Sequence, residues 1–415
     1  MKRRIGAGSG GTRASDDRVG ADRRADDVCR PVRPGRLTED DWMSNVATQD
    51  PAEDPPVDTA QVPSAADGVP LPTSFGRLRA VGPGRDPESE PVSGADAAQQ
   101  AVEHLAVSRS PLVLSSDVWA EAGRKVLAFH LSRMLARVPG TIAGEDPEEV
   151  HAMRVAARRV RAAWRVFGGA YERSVMRDHV SQLRTLGGRL GAVRDLDVQS
   201  AILIAHRGRR SKRERTALSP LLDALTAERA DRHRELVERL SSPWFTAFVT
   251  DHESLVTTPG AAVRPVVRHA PATVRMRAPS VAWEAYQAVW GFDDAIDGAD
   301  FAMLHELRIA AKWLRYTLEF VREPMEPGAT ELIRRVVVLQ DHLGDIHDLH
   351  ASAALARSFA ADDGHLRPGQ RTAIERFAVA QDLHVERLRR RLGPAWRGVA
   401  DPEYRRGLGR ALARP

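Results

Sequence analysis

The 415-residue chain has a single cysteine, Cys29, which excludes an intrachain disulfide and any cysteine-cluster metal site. Aromatic residues make up only 5%, too few to stock a large β-sandwich core. No run of about 18 apolar residues occurs, so no ordinary membrane-spanning helix is encoded. The opening MKRRIGAGSGGTR is charged but precedes no apolar stretch, so no secretory leader is expected; a cytoplasmic protein is. Gly6–Thr12 is glycine-rich, but it lacks both the preceding strand and the lysine of a phosphate-cradling loop and reads as flexible tail. No nucleophile elbow is present, and the lone cysteine sits in a proline-rich stretch, so no catalytic residue is assigned.

Lysine is also scarce. Only Lys2, Lys125, Lys212 and Lys312 occur among 61 cationic residues, leaving 57 arginines. The charge is unevenly spread: residues 1–100 carry 13 Lys and Arg against 17 Asp and Glu, and the rest carries 48 against 39. A basic body points to an anionic partner.

Residues 1–112 do not read as a domain. They include 12 of the 26 prolines, and stretches such as DPAEDPPVDTA cannot bury enough apolar surface to offset chain entropy, so a disordered segment is expected. From Val113 onward proline thins and apolar residues recur at three and four. The periodicity predicts helices over about 116–138, 147–169, 172–192, 195–212, 216–240, 281–296, 301–322, 330–344, 346–360 and 369–392. The Pro-rich stretch 254–280 reads as a connector between two helical halves, 113–260 and 261–415.

The most informative feature is a long-period repeat. His151-Ala-Met-Arg154-Val-Ala-Ala-Arg158-Arg-Val-Arg161 matches His305-Glu-Leu-Arg308-Ile-Ala-Ala-Lys312-Trp-Leu-Arg315 at an offset of 154 residues. A second element follows each copy: Leu190-Gly191-Ala-Val-Arg194-Asp195-Leu196 and Leu343-Gly344-Asp-Ile-His347-Asp348-Leu349, offset by 153. On a helix the shared positions i, i+3, i+7 and i+10 fall within an arc of about 80°. Arg165 lies in the same arc, while Met153, Ala156, Val160, Trp164 and Phe167 lie opposite. The second copy repeats this with Leu307, Ala310, Leu314, Leu318 and Val321. Asp146-Pro147-Glu148-Glu149 is a helix-start signal and Asp300 a second N-cap, which puts each histidine near a helix N-terminus, where free N–H groups favour anions.

Like charges stacked in this way repel by a few tenths of a kcal/mol per pair. A multivalent anion lying across them reverses the sign, and arginine's planar fork suits phosphate. A single cationic stripe is ordinarily a solvated face; two histidine-led copies favour a binding surface for a chain of phosphates.

These residues resemble the CHAD family, the conserved-histidine α-helical domain. The resemblance rests on H-x-x-R-V-x-x-R-R-x-R at 151–161, L-G-x-V-R-D-L-D-V at 190–198, L-H-x-L-R-I-A-x-K-x-L-R-Y at 304–316 and L-Q-x-x-L-G at 339–344. It covers roughly 113–415. It implies an all-α fold of two antiparallel helical bundles, duplicated four-helix units related by a pseudo-twofold axis. It also implies a basic surface or pore that binds inorganic polyphosphate, and association with polyphosphate granules and proteins found there. Carried onto this chain, the ligand set is His151, Arg154, Arg158, Arg161, Arg165 and Arg194 with His305, Arg308, Lys312 and Arg315. The second half departs from the first at Glu319, where the first has Arg165, and at His347, where it has Arg194. Asp195 and Asp348 read as orienting arginines or capping helices. A catalytic triphosphate-tunnel domain with an E-x-E-x-K signature often accompanies the family. The nearest string, Glu88-Ser-Glu90-Pro-Val92, lacks the lysine, so hydrolysis by that route is not expected. No cofactor or resident metal is expected.

Two rivals stay open. His347-Asp348 and His350 could hold a metal in a phosphohydrolase, which would need further ligands. A nucleic-acid-binding module would share the basic surface but would want stacking aromatics or a groove-reading helix. Near the second repeat only Trp313 and Tyr316 are aromatic, and Trp313 lies off the cationic arc. His179, His206, His233 and His384 read as solvated or satisfied, and the basic patches Arg207–Arg215 and Arg387–Arg391 as either solvated or extensions of an anion surface.

Overall fold

A computed structural model describes residues 93–266, 269–361 and 366–413. The predicted start signals operate as read. Asp146 accepts a hydrogen bond from the Glu148 N–H with Pro147 in the first turn, opening α4 (Pro147–Phe167). Asp300 likewise accepts from the Met303 N–H and opens α10 (Phe301–Phe320). Before α4 lie α1 (Gly94–Leu105), α2 (Trp119–Leu135) and the short α3 (Val138–Ala143). After it come α5 (Arg173–Arg207), α6 (Lys212–Ala217), α7 (Ser219–Leu240), α8 (Pro243–Thr257) and α9 (Val274–Trp290). After α10 come α11 (Arg322–Met325), α12 (Ala329–Ala361), α13 (Pro368–Arg390), α14 (Leu392–Ala400) and α15 (Pro402–Leu412). Among the described residues there is no strand; the bridges Val118 to Thr273 and Tyr171 to Val263 only tie loops together. The fold is all-α, as the periodicity requires.

Each motif helix uses its apolar stripe to enter the core. Val150, Met153, Ala156, Val160, Trp164 and Phe167 of α4 are buried, and so are Leu307, Ala310, Leu314 and Leu318 of α10. α4 packs on α2 and α5, and α10 on α9 and α12. Gly123 permits the close α2–α4 approach: a Cβ there would lie 2.7 Å from Phe167 Cβ. The Tyr171 hydroxyl then donates to the Ala120 carbonyl at 2.6 Å, locking the end of α4 against α2. Trp164 is fully buried, so Trp164→Ala should cost about 3–5 kcal/mol. One core cluster runs through both motif helices, and α4 touches α10 directly. A smaller cluster joins Leu203, Leu221 and Leu225 to Ala353, Ile374 and Phe377, tying the ends of α5 and α12 to α7 and α13.

Four expectations are corrected. The disordered segment expected over 1–112 lies outside the described residues up to residue 92, but Gly94–Leu105 is a helix with Ala97, Ala98 and Ala101 buried against α2 and α8. Its small side chains allow the helices to approach closely, which a reading weighted by proline content overlooks. The breaks expected at 192–195 and 344–346 do not occur: α5 and α12 run through, because Leu190 and Val193, and likewise Leu343 and Ile346, continue the buried stripe past the glycines. The connector is shorter than 254–280, since α8 reaches Thr257 and α9 begins at Val274 rather than 281 and ends at Trp290. Residues 392–412, read without helices, form α14 and α15.

Candidate anion-binding site

The cationic arc of α4 emerges half-buried: His151, Arg154, Arg158, Arg161 and Arg165 all have intermediate exposure. α5 lies beside it and presents glycine where the arginines pass. A Cβ on Gly191 would meet Arg154 Nε at 3.6 Å, and one on Gly187 would meet Arg161 Nη1 at 4.0 Å. The glycine of the second repeated element therefore leaves room for the arginine of the first. Arg154 Nη2 donates to Asp195 Oδ1 at 3.4 Å, and Arg194 Nη1 lies 3.7 Å from Glu148 Oε1. Burial pushes the His151 imidazole below its ordinary pKa, and Arg194 adds to the shift.

On its other flank α4 meets α10. Arg158 Nε donates to the Tyr316 hydroxyl at 2.5 Å, and the Arg165 guanidinium lies 4.4 Å over the Trp313 ring. Burial lowers the Arg165 pKa to about 10, which leaves it charged at neutral pH. Glu319 sits between two arginines, accepting from Arg159 Nη2 at 2.9 Å and from Arg315 Nε at 2.8 Å. Arg315 also reaches Gln340 Oε1 at 3.4 Å. Lys312, an arc position by sequence, is buried at 5% exposure with its Nζ 4.8 Å over Trp313. His305 and Arg308 are half-buried.

The second repeated elements converge as well. α5 and α12 touch. Burial pushes the Asp348 carboxyl above its ordinary range, Arg308 pulls it down, and the Asp195 and Asp345 charges push it up again. Asp195, Asp348, Arg154 and Arg308 thus form one mixed cluster. Both aspartates lie inside long helices, so neither caps a helix, and the Arg154–Asp195 bond supports the orienting role. His347 is driven down to about 4, chiefly by burial and then by Arg308, and its ring lies 5.4 Å from that of His305. Phe301 stacks on His350 at 3.7 Å. Among the described residues no group of three or more His, Cys, Asp or Glu side chains is placed to hold a metal ion.

The remaining histidines divide. His233 Nε2 is hydrogen-bonded to the Thr141 carbonyl at 2.8 Å, and His206 packs edge-on to Phe377 at 4.9 Å. His179 is neither solvated nor fully satisfied: it is buried 4.4 Å from the His252 ring, and its Nδ1 has no partner. Sequence reading missed His252, and it took Glu319 as a mere departure from the repeat. Glu319 carries a partial local signal in its i, i+4 spacing to Arg315, but its contact with Arg159 and that of His252 with His179 come from helices distant in sequence. Among the described residues no helix is long and apolar enough to cross a membrane.

Known proteins agree with this architecture. The family model described as CHAD domain matches residues 125–357, more than half of the chain. The structure is similar to PptA from Streptomyces chartreusis, with a TM-score of 0.56 and 18% identity over 68% of this chain and 100% of that one. It is also similar to the CHAD domain from the plant Ricinus communis, with a TM-score of 0.56 and 22% identity over 69% of this chain and 96% of that one. No curated protein matches. Histidine-led motifs on adjoining helices and a family match spanning both repeats lead to one assignment: the chain belongs to the CHAD family.

Proposed function

We propose that this protein binds inorganic polyphosphate non-covalently on the surface where α4 and α10 adjoin. The observation that carries the reading is the contact of the two arginine-bearing helices, with Arg158 bonded to Tyr316 and Arg165 stacked on Trp313. This contact gathers cations distant in sequence onto one region. The ligand-contacting set is His151, Arg154, Arg158, Arg161, Arg165 and Arg194 with His305, Arg308 and Arg315, while Lys312, buried over Trp313, adds positive charge from beneath the surface. In this reading 113–260 and 261–415 are duplicated bundles, with the pseudo-twofold axis passing between Asp195 and Asp348. Polyphosphate binding would recruit the protein to polyphosphate granules in the cytoplasm.

The alternatives receive less support. Trp313 and Tyr316 are 6% and 2% exposed and are covered by Arg165, Lys312 and Arg158, so neither offers a stacking face to a base. His347 and Asp348 have His350 nearby, but that ring is stacked on Phe301.

The test is competition on the full chain. Long-chain polyphosphate should displace a labelled DNA duplex and a labelled single-stranded RNA far better than either displaces polyphosphate, with no orthophosphate released when divalent metal is added. Equal competition would favour the nucleic-acid module. Metal-dependent release that Asp348→Ala abolishes would favour the phosphohydrolase.

A further inference from the structure

A third cationic stripe lies on α13, away from the motif helices. Arg376, His384, Arg387 and Arg391 fall within an arc of about 80° along roughly 22 Å of helix and its last turn. All four are exposed. The end of α5 and the short α6 come beside this helix: α6 packs on α13, and His206 lies 4.9 Å from Phe377. They bring exposed Arg209 and Arg213 alongside. Among the described residues these five arginines form no ion pair or side-chain hydrogen bond, unlike Arg154, Arg194 and Arg315. Arg387, Arg209 and Arg391 all disfavour charge on His384, so the two groups of cations are within electrostatic reach of each other. The helix dipole accounts for cations in the last turn of α13. It does not account for Arg376, far upstream, or for Arg209 and Arg213 on other elements. Asp345 of α12 acts on both His384 and Asp348, so the stripe and the central cluster are both within electrostatic reach of that carboxylate.

We infer that the stripe Arg376–His384–Arg387–Arg391, with Arg209 and Arg213, is a second binding face for the same polymer. It takes up the part of a long polyphosphate chain that extends beyond the α4–α10 surface. The inference rests on the proposed polyphosphate function and adds to it a preference for long chains. Glu214 lies within electrostatic reach of Arg376 without pairing with it, and a row of guanidinium groups that form no ion pair gains most from a ligand whose charges are spaced along a line.

The test compares the full chain with an Arg209/Arg376/Arg387/Arg391→Ala variant, its folding checked by circular dichroism, against tripolyphosphate and long-chain polyphosphate. Long-chain affinity should fall roughly tenfold or more, and the slope of log affinity against log salt should shrink by about 3. Tripolyphosphate binding should stay at the wild-type level. Unchanged long-chain affinity would overturn the second face while leaving the central site standing. Equal losses for both ligands would also overturn it, by showing no dependence on chain length. Failure of the wild type to bind either ligand would overturn both readings.

Discussion

Arg158 on α4 donates to Tyr316 on α10 at 2.5 Å, a bond between residues 158 positions apart in the chain. It joins the two copies of the repeat, running from the middle of the first cationic arc to the residue that follows Arg315 at the end of the second. The same arginine lies 5.9 Å from the Tyr316 ring centroid. Tyr316→Phe keeps the ring and removes the acceptor. Because Arg158 is half-buried and charged, denaturant unfolding should show a loss of about 1–2 kcal/mol. Unchanged stability would mean that the bond adds nothing to the joint.

Glu319 should have opposite effects on stability and on binding. It neutralises Arg159 and Arg315 while clamping α4 to α10. Glu319→Gln keeps the shape and removes the charge. Stability should fall by about 1–2 kcal/mol, and polyphosphate affinity should rise several-fold as the two guanidinium groups are released. A drop in affinity would show that the clamp, rather than net cationic charge, shapes the site.

Gly191 separates backbone tolerance from space for a side chain. Its Cβ position lies 3.6 Å from Arg154 Nε, an ordinary contact, so Gly191→Ala should fold normally and gain up to about 1 kcal/mol from helix propensity. Gly191→Leu should push Arg154 away from Asp195 and weaken polyphosphate binding while leaving the helical circular-dichroism signal intact. Equal affinities for the two variants would remove Arg154 from the site.

Acid should destabilise the fold through buried histidines. His130 and His252 are pushed down to about 3 and His347 to about 4, in each case mainly by burial. The unfolded chain therefore takes up protons near pH 6.5 that the native state refuses. Stability is full above that value and declines as pH falls toward 3–4, by up to about 1.4 kcal/mol per pH unit for each histidine. The raised pKa of Asp348 works the other way and offsets part of the loss near pH 4. His252→Asn keeps a donor for the Phe248 carbonyl and should flatten the decline measured between pH 7 and 5. An unaltered slope would contradict the role of burial at His252.

What could be read from the sequence was whatever repeats locally. The caps at Asp146 and Asp300, the apolar stripes of α4 and α10, and the half-buried arc at 151, 154, 158 and 161 follow from spacing alone. What could not be read depends on partners far away in the chain. Glu319 looked like a lost arginine until α4 was seen beside α10, and the same approach lays Arg165 over Trp313. The helix at Gly94–Leu105 was hidden because alanines bury well only when another helix comes close, as α8 does here. Gly191 and Gly344 suggested helix ends, yet Gly191 makes room for Arg154 within an unbroken helix.

The most direct test of the central claim is calorimetric titration of the full chain with long-chain polyphosphate at two salt concentrations. An Arg154/Arg158/Arg308/Arg315→Ala variant runs beside it, its folding verified by circular dichroism. The account predicts wild-type binding that weakens steeply with salt and is lost in the folded variant. Wild-type protein that does not bind, or a variant that binds as tightly as wild type, would contradict it.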